Sequence, residues 1–394
     1  MRALFVLLIA LSAGNLKAQA PLPENAGIAP GANPVLEKSR ADLAKRLPEL
    51  AIRRLEQFLS TEPPKEERVS AKALLLEAYV RMGFDQGAGC AASDVAAKAV
   101  KLASDSSLKE DPNTLFWEAQ AHALREDFKE AESLLGTIEA AHGGDHVAEA
   151  ALTRSNILLN LDDRENALAV LQSMINAEDP DISYRARTKA AAIALSLKRF
   201  RETEELLQFT VPDDEAKRQR VNFLRARLAL ESNQLDRAKT LFRELVNAGP
   251  ELRMPHAEAS IIGLAKTLNQ KGDATAADTL LVKYVDRTKK SRLLPAAFET
   301  FRATGFLNSP DNINHLLRWS EGDGSSERAV QAHYYLGLAY MRQNEEAKAI
   351  EALDAFARKY PDAALHQFAL LRLAMLYVDQ KDSDRTRETL IMLQ

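Results

Sequence analysis

The sequence predicts an all-α solenoid of about ten antiparallel helix pairs, and three observations carry that reading. A small residue followed four places later by an apolar one returns at near-constant spacing along the chain. Prolines, glycines and short polar turns fall between these returns. Long β-branched runs, which would favour strands, are missing. A helix pair of this size cannot bury its apolar face alone, so neighbouring pairs must stack into a continuous core.

The N-terminus stands apart from the repeats. Arg2 precedes an apolar run from Ala3 to Ala13, and Ala18-Gln19-Ala20 offers a small-x-small cleavage site. Residues 1–20 are read as a secretory signal peptide. Its run of eleven apolar residues is shorter than the ~20 residues of a spanning helix, and no later run reaches that length. No integral membrane span is therefore expected after signal removal. Pro21 hinders cleavage directly before it, which favours a cut at Ala18 or nearby. Residues 21–34 carry prolines and glycines that block helix and ladder alike, and are read as a flexible leader. The destination implied is the periplasm or cell surface of a two-membrane bacterium. Cys90, the single cysteine, forbids an internal disulfide and lies too far along to carry a lipid, so stability must come from packing.

Residues 35–394 form the solenoid. The small position falls at Ala51, Ala97, Ala131, Ala167, Thr203, Ala238, Ala277, Ile313, Ala349 and Thr386, with spacings of 46, 34, 36, 36, 35, 39, 36, 36 and 37. Each is placed early in the second helix of a pair, where a short side chain lets two helices approach. Four residues on stand Leu55, Leu135, Leu171, Leu207, Phe242, Leu281, Leu317, Leu353 and Leu390, one face of an α-helix. The long first spacing places an insertion in the second pair, around Gly83 to Cys90. Pro63, Pro112, Pro180, Pro212, Pro250 and Pro361 end one pair before the next begins. Turns within pairs include Glu126-Asp127, Asp162-Asp163, Lys271-Gly272-Asp273 and Asn344-Glu345, with Asp273 and Asn344 expected as N-caps and Ser309-Pro310-Asp311 doing the same for the eighth pair. Trp117, Trp319, Tyr340 and Phe356 recur at core spacing.

The clearest unit runs from Ala332-His333-Tyr334-Tyr335-Leu336-Gly337-Leu338-Ala339-Tyr340 through Ala349, Leu353 and Phe356 to Pro361. Its Leu336-Gly337, Tyr340, Ala349 and Pro361 resemble the tetratricopeptide repeat, and Phe356 to Asp362 is similar to helix endings of envelope-associated members of that family. The resemblance extends more loosely over most of the chain. It implies a right-handed superhelical solenoid that binds a protein or peptide in a concave groove lined by the first helix of each pair, with no chemistry of its own. Projected on this sequence, the groove takes Leu152, Asn156, Asn160, Arg185, Lys189, Arg220, Phe223, Arg227, Lys266, Tyr334, Leu338 and Arg342. Its middle is then basic, and arginine there suits a carboxylate while asparagine suits an extended backbone. Asn156 and Arg220 resemble part of a carboxylate clamp, but Leu152 stands where such a clamp has lysine. The competing reading is that these arginines pair with acidic neighbours across adjacent repeats.

Composition narrows the function classes. With 52 basic and 56 acidic residues the net charge is -4, which lacks the basic excess that nucleic-acid binding requires. Aromatic content of only 6% counts against a glycan-recognition module. His142-Gly143-Gly144-Asp145-His146 gathers metal-ligand types, but its paired glycines suit a loop better than a rigid site, and no H-E-x-x-H is present. Ser106-Ser107-Leu108-Lys109 matches S-x-x-K without the S-D-N or K-T-G that would accompany it. There is no G-x-S-x-G, Walker loop or G-x-G-x-x-G. The expectation is a non-enzymatic exported scaffold without metal or cofactor, binding a protein partner in its groove. The other candidate classes are a glycan-recognition module and a regulatory N-terminal part of a larger envelope protein. The apolar stretch Thr389 to Gln394 has no polar cap behind it, so either the chain continues or this end docks on a partner or a second copy.

Overall fold

The structure of the chain, a computed structural model, describes residues 33–86, 90–108, 111–141, 145–248, 256–321 and 326–393. Among them are twenty α-helices and no strand. Pairs one to five are α1 (Pro34–Ala44) and α2 (Pro48–Leu59), α3 (Lys65–Gln86) and α4 (Cys90–Ala103), α5 (Pro112–Leu124) and α6 (Phe128–Ala141), α7 (Asp145–Asn160) and α8 (Arg164–Met174), and α9 (Pro180–Ser196) and α10 (Phe200–Leu206). Pairs six to ten are α11 (Glu215–Glu231) and α12 (Leu235–Asn247), α13 (Ala257–Gln270) and α14 (Ala274–Arg287), α15 (Leu294–Thr304) and α16 (Ile313–Glu321), α17 (Glu327–Arg342) and α18 (Glu346–Lys359), and α19 (His366–Asp379) and α20 (Ser383–Met392). The chain divides into two compact units at Pro212–Asp213, so each unit holds five pairs. Within a unit consecutive helices pack on one another, α15 and α16 meeting through the rings of Phe298, Phe301 and Trp319, and the second helix of each pair lies against the first helix of the following one. No helix among the described residues is long and apolar enough to cross a membrane.

The expected signal peptide and most of the leader lie outside the described residues, as do His142 to Gly144, Lys109 and Pro250. Asn33 and Pro34, expected in the leader, instead cap and open α1, the Asn33 side chain accepting from the Val35 N–H at 2.9 Å. The insertion in the second pair is taken up largely as helix: α3 has 22 residues and runs on to Gln86.

Local rules set the helix ends. Asp111, Asp163, Asp214, Asp273 and Asp382 each accept a backbone N–H inside their own helix, at 2.8 to 3.2 Å, a cap worth about 1 kcal/mol. Proline opens α1, α2, α5 and α9, where its missing N–H costs nothing. Turns within pairs follow one pattern. A residue of positive φ follows the first helix (Arg46, Glu126, Asp162, Lys198, Asn233, Gly272, Gly305, Asn344 and Lys381). In all but the Gly305 turn, the next N–H returns to a carbonyl five residues back, as from Asp163 to Leu158 at 2.8 Å and from Gln234 to Ala229 at 2.7 Å. Asn344 is therefore that left-handed residue and not an N-cap; Glu345 holds the cap position without a side-chain bond.

The small-residue positions are where the pairs close. Ala51, Ala131, Ala167, Thr203, Ala238, Ala277 and Ala349 are all wholly buried, with Leu55, Leu135, Leu171, Leu281 and Leu353 equally buried one turn on. In the second pair the longer α3 shifts the register by one, so Ala96 is buried and Ala97 exposed. In the eighth pair Ile313 is only half-buried, because two 3-10 turns, Phe306–Asn308 and Pro310–Asn312, precede α16, and Leu316 and Trp319 enter the core instead. Ser309 therefore precedes a 3-10 turn and makes no side-chain cap. Trp319 stacks against Phe301 at 5.8 Å and meets Phe298 edge-on at the same separation, and its indole N–H donates to Asp286 at 2.7 Å. Trp117 and Phe356 are also buried, whereas Tyr340 is half-buried beneath the Lys348 ammonium.

Two glycines show how close the approach is. A Cβ on Gly263 would stand 2.4 Å from the Phe242 ring of the preceding pair, and one on Gly337 would stand 2.6 Å from Leu353 of its own pair. Gly263→Ala and Gly337→Ala are each expected to lower stability by about 1–3 kcal/mol through overpacking. Urea denaturation checks this; an unchanged midpoint for both would show that the helices have room to separate.

Candidate functional site

First helices carry a row of polar side chains in each unit. In residues 33–212 it runs through Glu77 and Arg81 on α3, Glu149 and Asn156 on α7, and Arg185 and Lys189 on α9. Glu77 and Arg81 pair at 2.7 Å, and the Arg81 guanidinium lies 5.5 Å from the Trp117 ring centre. Burial holds the Glu77 carboxyl above its usual range in spite of Arg81. Arg185 donates to both oxygens of Glu149, the Nη2–Oε2 bond being 3.1 Å. The Lys189 ammonium donates to Asn156 Oδ1 at 3.1 Å and to the Leu152 carbonyl at 3.4 Å. Leu152 itself is in the core, and Asn160 is exposed at the end of α7.

In residues 213–394 the row begins on α11, where Arg227 is buried and pairs with Glu231 at 3.0 Å. On α13 the Lys266 ammonium lies within the fields of Arg227, Glu231 and Glu299, yet it forms no hydrogen bond or ion pair with a described residue. Burial is the main cause that holds its pKa below the usual lysine range, Arg227 adds to the shift, and the two glutamates oppose it. On α15 Glu299 pairs with Arg302 and accepts the Tyr335 hydroxyl of α17 at 3.1 Å. Desolvation, reinforced by Glu299, pushes the Tyr335 phenol up. Phe223 and Tyr334, placed in the groove by the sequence, are packed inside: Phe223 against His256 and Phe242, Tyr334 against Tyr335 and Phe356. Leu338 is half-buried and Arg342 is exposed at the end of α17.

The basic middle expected from sequence is thus largely neutralised. Glu149, Glu231, Glu299 and Arg302 were not among the expected site residues, although spacing could have found them. Glu149 lies 36 residues before Arg185, Glu231 lies 35 before Lys266, and Glu299 lies 36 before Tyr335, each close to one repeat.

His256 is the other perturbed group. It stacks on Phe223 at 4.9 Å, its buried Nδ1 has no hydrogen-bond partner among the described residues, and burial, followed by the nearby Arg220 charge, lowers its pKa from 6.5 to about 4. Because the folded value lies below the unfolded one, the neutral ring contributes stability that is complete above pH 6.5 and is lost as pH falls toward 4. Over that window the loss approaches about 1.4 kcal/mol per pH unit. His256→Gln is therefore expected to flatten the decline in stability between pH 6.5 and 4, as measured by denaturant midpoints; parallel declines would refute the assignment.

No group of three His, Cys, Asp or Glu suited to a metal ion occurs among the described residues. The profile of the tetratricopeptide repeat family matches residues 331–363, the span singled out as the clearest unit. No curated protein matches the sequence. Among solved structures the chain is similar to yeast Tom70, at 16% identity and a TM-score of 0.47 over 98% of this chain and 73% of that one. It is also similar to the human IFIT1 dimer with m7Gppp-AAAA, at 15% and 0.36 over 91% and 70%. A third similarity is to Naa15/Naa10 bound to HypK-THB, at 14% and 0.31 over 91% of this chain and 62% of that one.

Proposed function

We propose that the protein is an exported, non-enzymatic scaffold of the cell envelope, periplasmic or at the cell surface, that holds a partner polypeptide against first helices of its repeats. The observation that carries this reading is Lys266. Lys266 is half-buried and its ammonium has no bonded partner among the described residues, so folding takes part of its hydration without replacing it, and exchanging such a charge for an apolar side chain is commonly neutral or stabilising. Its presence on the first-helix row makes sense as a receptor for a carboxylate or backbone carbonyl brought by the partner, with Arg227 and Glu231 beside it fixing the direction of approach. The tetratricopeptide repeat at 331–363 supports a protein ligand, since repeats of this kind present extended faces to polypeptides. Export rests on the apolar run and small-x-small site that precede the repeats.

Lys266→Met is expected to leave the thermal midpoint unchanged or raise it while abolishing capture of the partner from envelope extract. Retained capture would move the binding site off this face. Arg185→Glu and Arg227→Glu would be poor substitutes for this test, because each removes a cation that already neutralises a glutamate of the fold. For export, N-terminal sequencing of the protein recovered from an expressing two-membrane bacterium should begin close after Ala18. A chain that keeps Met1 and stays in the cytosol would overturn that part.

A further inference from the structure

Positive charge accumulates where the seventh pair hands over to the eighth. The ten residues 283–292 carry five exposed cations, Lys283, Arg287, Lys289, Lys290 and Arg292, against one carboxylate, Asp286. Asp286 is already engaged, pairing with Arg318 at 2.6 Å and accepting the Trp319 indole N–H. None of the five cations forms an ion pair with a described residue. Glu327, half-buried at the start of α17, lies within the fields of Lys290 and Arg292, yet burial outweighs them and holds its carboxyl above the usual range. The backbone beneath these charges is tied down. Arg328 donates its N–H to the Lys289 carbonyl at 3.2 Å and its guanidinium to the carbonyls of Val285 and Asp286 at 3.2 and 3.0 Å. The Ser291 hydroxyl donates to Glu258 and accepts the Leu293 N–H at 3.1 Å.

Local folding gives no reason for this charge. Arg287 closes α14, where a cation suits the helix dipole, but Lys289, Lys290 and Arg292 stand before the N-terminus of α15, where the dipole opposes them and they repel one another. We infer that this loop docks electrostatically on an anionic lipid bilayer. Its apolar neighbours Tyr284, Val285, Leu293 and Leu294 are all buried, so the surface lacks the apolar centre of a protein interface and has no ring on which a nucleic-acid base could stack. A sheet of headgroups offers charge across the whole loop without having to fold around it, and each cation near such a surface strengthens binding roughly five-fold. This site shares no residue with the Lys266 row, so failure at one leaves the other standing.

The test is co-sedimentation of the full chain with vesicles of phosphatidylcholine alone, which measure any attachment that does not depend on charge, or containing about 30% phosphatidylglycerol. The chain should bind the anionic vesicles and be released as NaCl rises from about 0.1 to about 0.5 M. Lys289→Gln with Lys290→Gln should weaken that binding about ten-fold or more, and adding Arg287→Gln and Arg292→Gln should abolish the preference for phosphatidylglycerol. Lys98→Gln with Lys101→Gln removes as much charge from exposed lysines of α4 and should bind like the parent, as should Lys266→Met. The altered side chains are exposed, so circular dichroism should be the same in every variant. Equal attachment to both kinds of vesicle, attachment to neither, or indifference to Lys289→Gln with Lys290→Gln would overturn the inference. If the vesicles stay bare while a glutamate-rich peptide or an oligonucleotide binds and is lost with those two substitutions, the inference fails in favour of that polyanion.

Discussion

The structure depends on how closely two helices can approach at one small side chain. Where Ala51, Ala131, Ala167, Ala238, Ala277 or Ala349 stands, the neighbouring backbone comes close enough for the leucine or phenylalanine one turn later to be sealed from water. No single pair closes a core by this means. Each leaves an apolar face that only the next pair covers, so the energetics are those of a chain of nearest-neighbour contacts. The close contacts at Gly263 and Gly337 are the same constraint at its limit, one between pairs and the other within a pair.

Charge follows the same translation. Because like positions recur at about 35 residues, a cation on one first helix meets a carboxylate on the preceding one, as with Arg185 and Glu149, and Arg199, at the start of the second helix α10, meets Glu165 of α8 in the same way at 2.7 Å. These half-exposed pairs add little stability individually, but they oppose slippage of one pair along another. Against that background Lys266 is conspicuous, since its neighbours supply fields of both signs and no bonded partner.

Most of the fold was legible in the sequence because its period is long and regular. All ten pairs lie where the small-residue spacing put them. The misplacements share a cause: something local changed the length of a helix. The 22-residue α3 moved the buried position from Ala97 to Ala96, and the 3-10 turns before α16 moved it from Ile313 to Leu316. Asn344 was misread because an asparagine before a helix serves equally as a cap or as a left-handed turn, and only the hydrogen bond from Glu345 N–H to the Tyr340 carbonyl distinguishes them. The polar row was half legible. Arg185, Lys189, Arg227 and Lys266 were found by facing, but facing alone does not show which cations meet a carboxylate one repeat away. Phe223 and Tyr334 were placed on the groove by the same projection, which does not reveal that His256 and Phe356 cover them.

The left-handed turns bear on how the repeats deform. At seven of the nine turns described within pairs, the positive-φ residue is arginine, glutamate, aspartate, lysine or asparagine. A Cβ there narrows the torsional range that glycine would leave open. Each such pair is therefore a stiff hairpin whose two helices keep their mutual angle. Compliance within a unit then belongs to the contacts between pairs, and bending should proceed by small slips of one hairpin over the next. The exceptions are the seventh and eighth pairs, which turn at Gly272 and Gly305. Those are the places where a hairpin itself can flex, and in the sequence they lie on either side of Glu299, the carboxylate that accepts the Tyr335 hydroxyl.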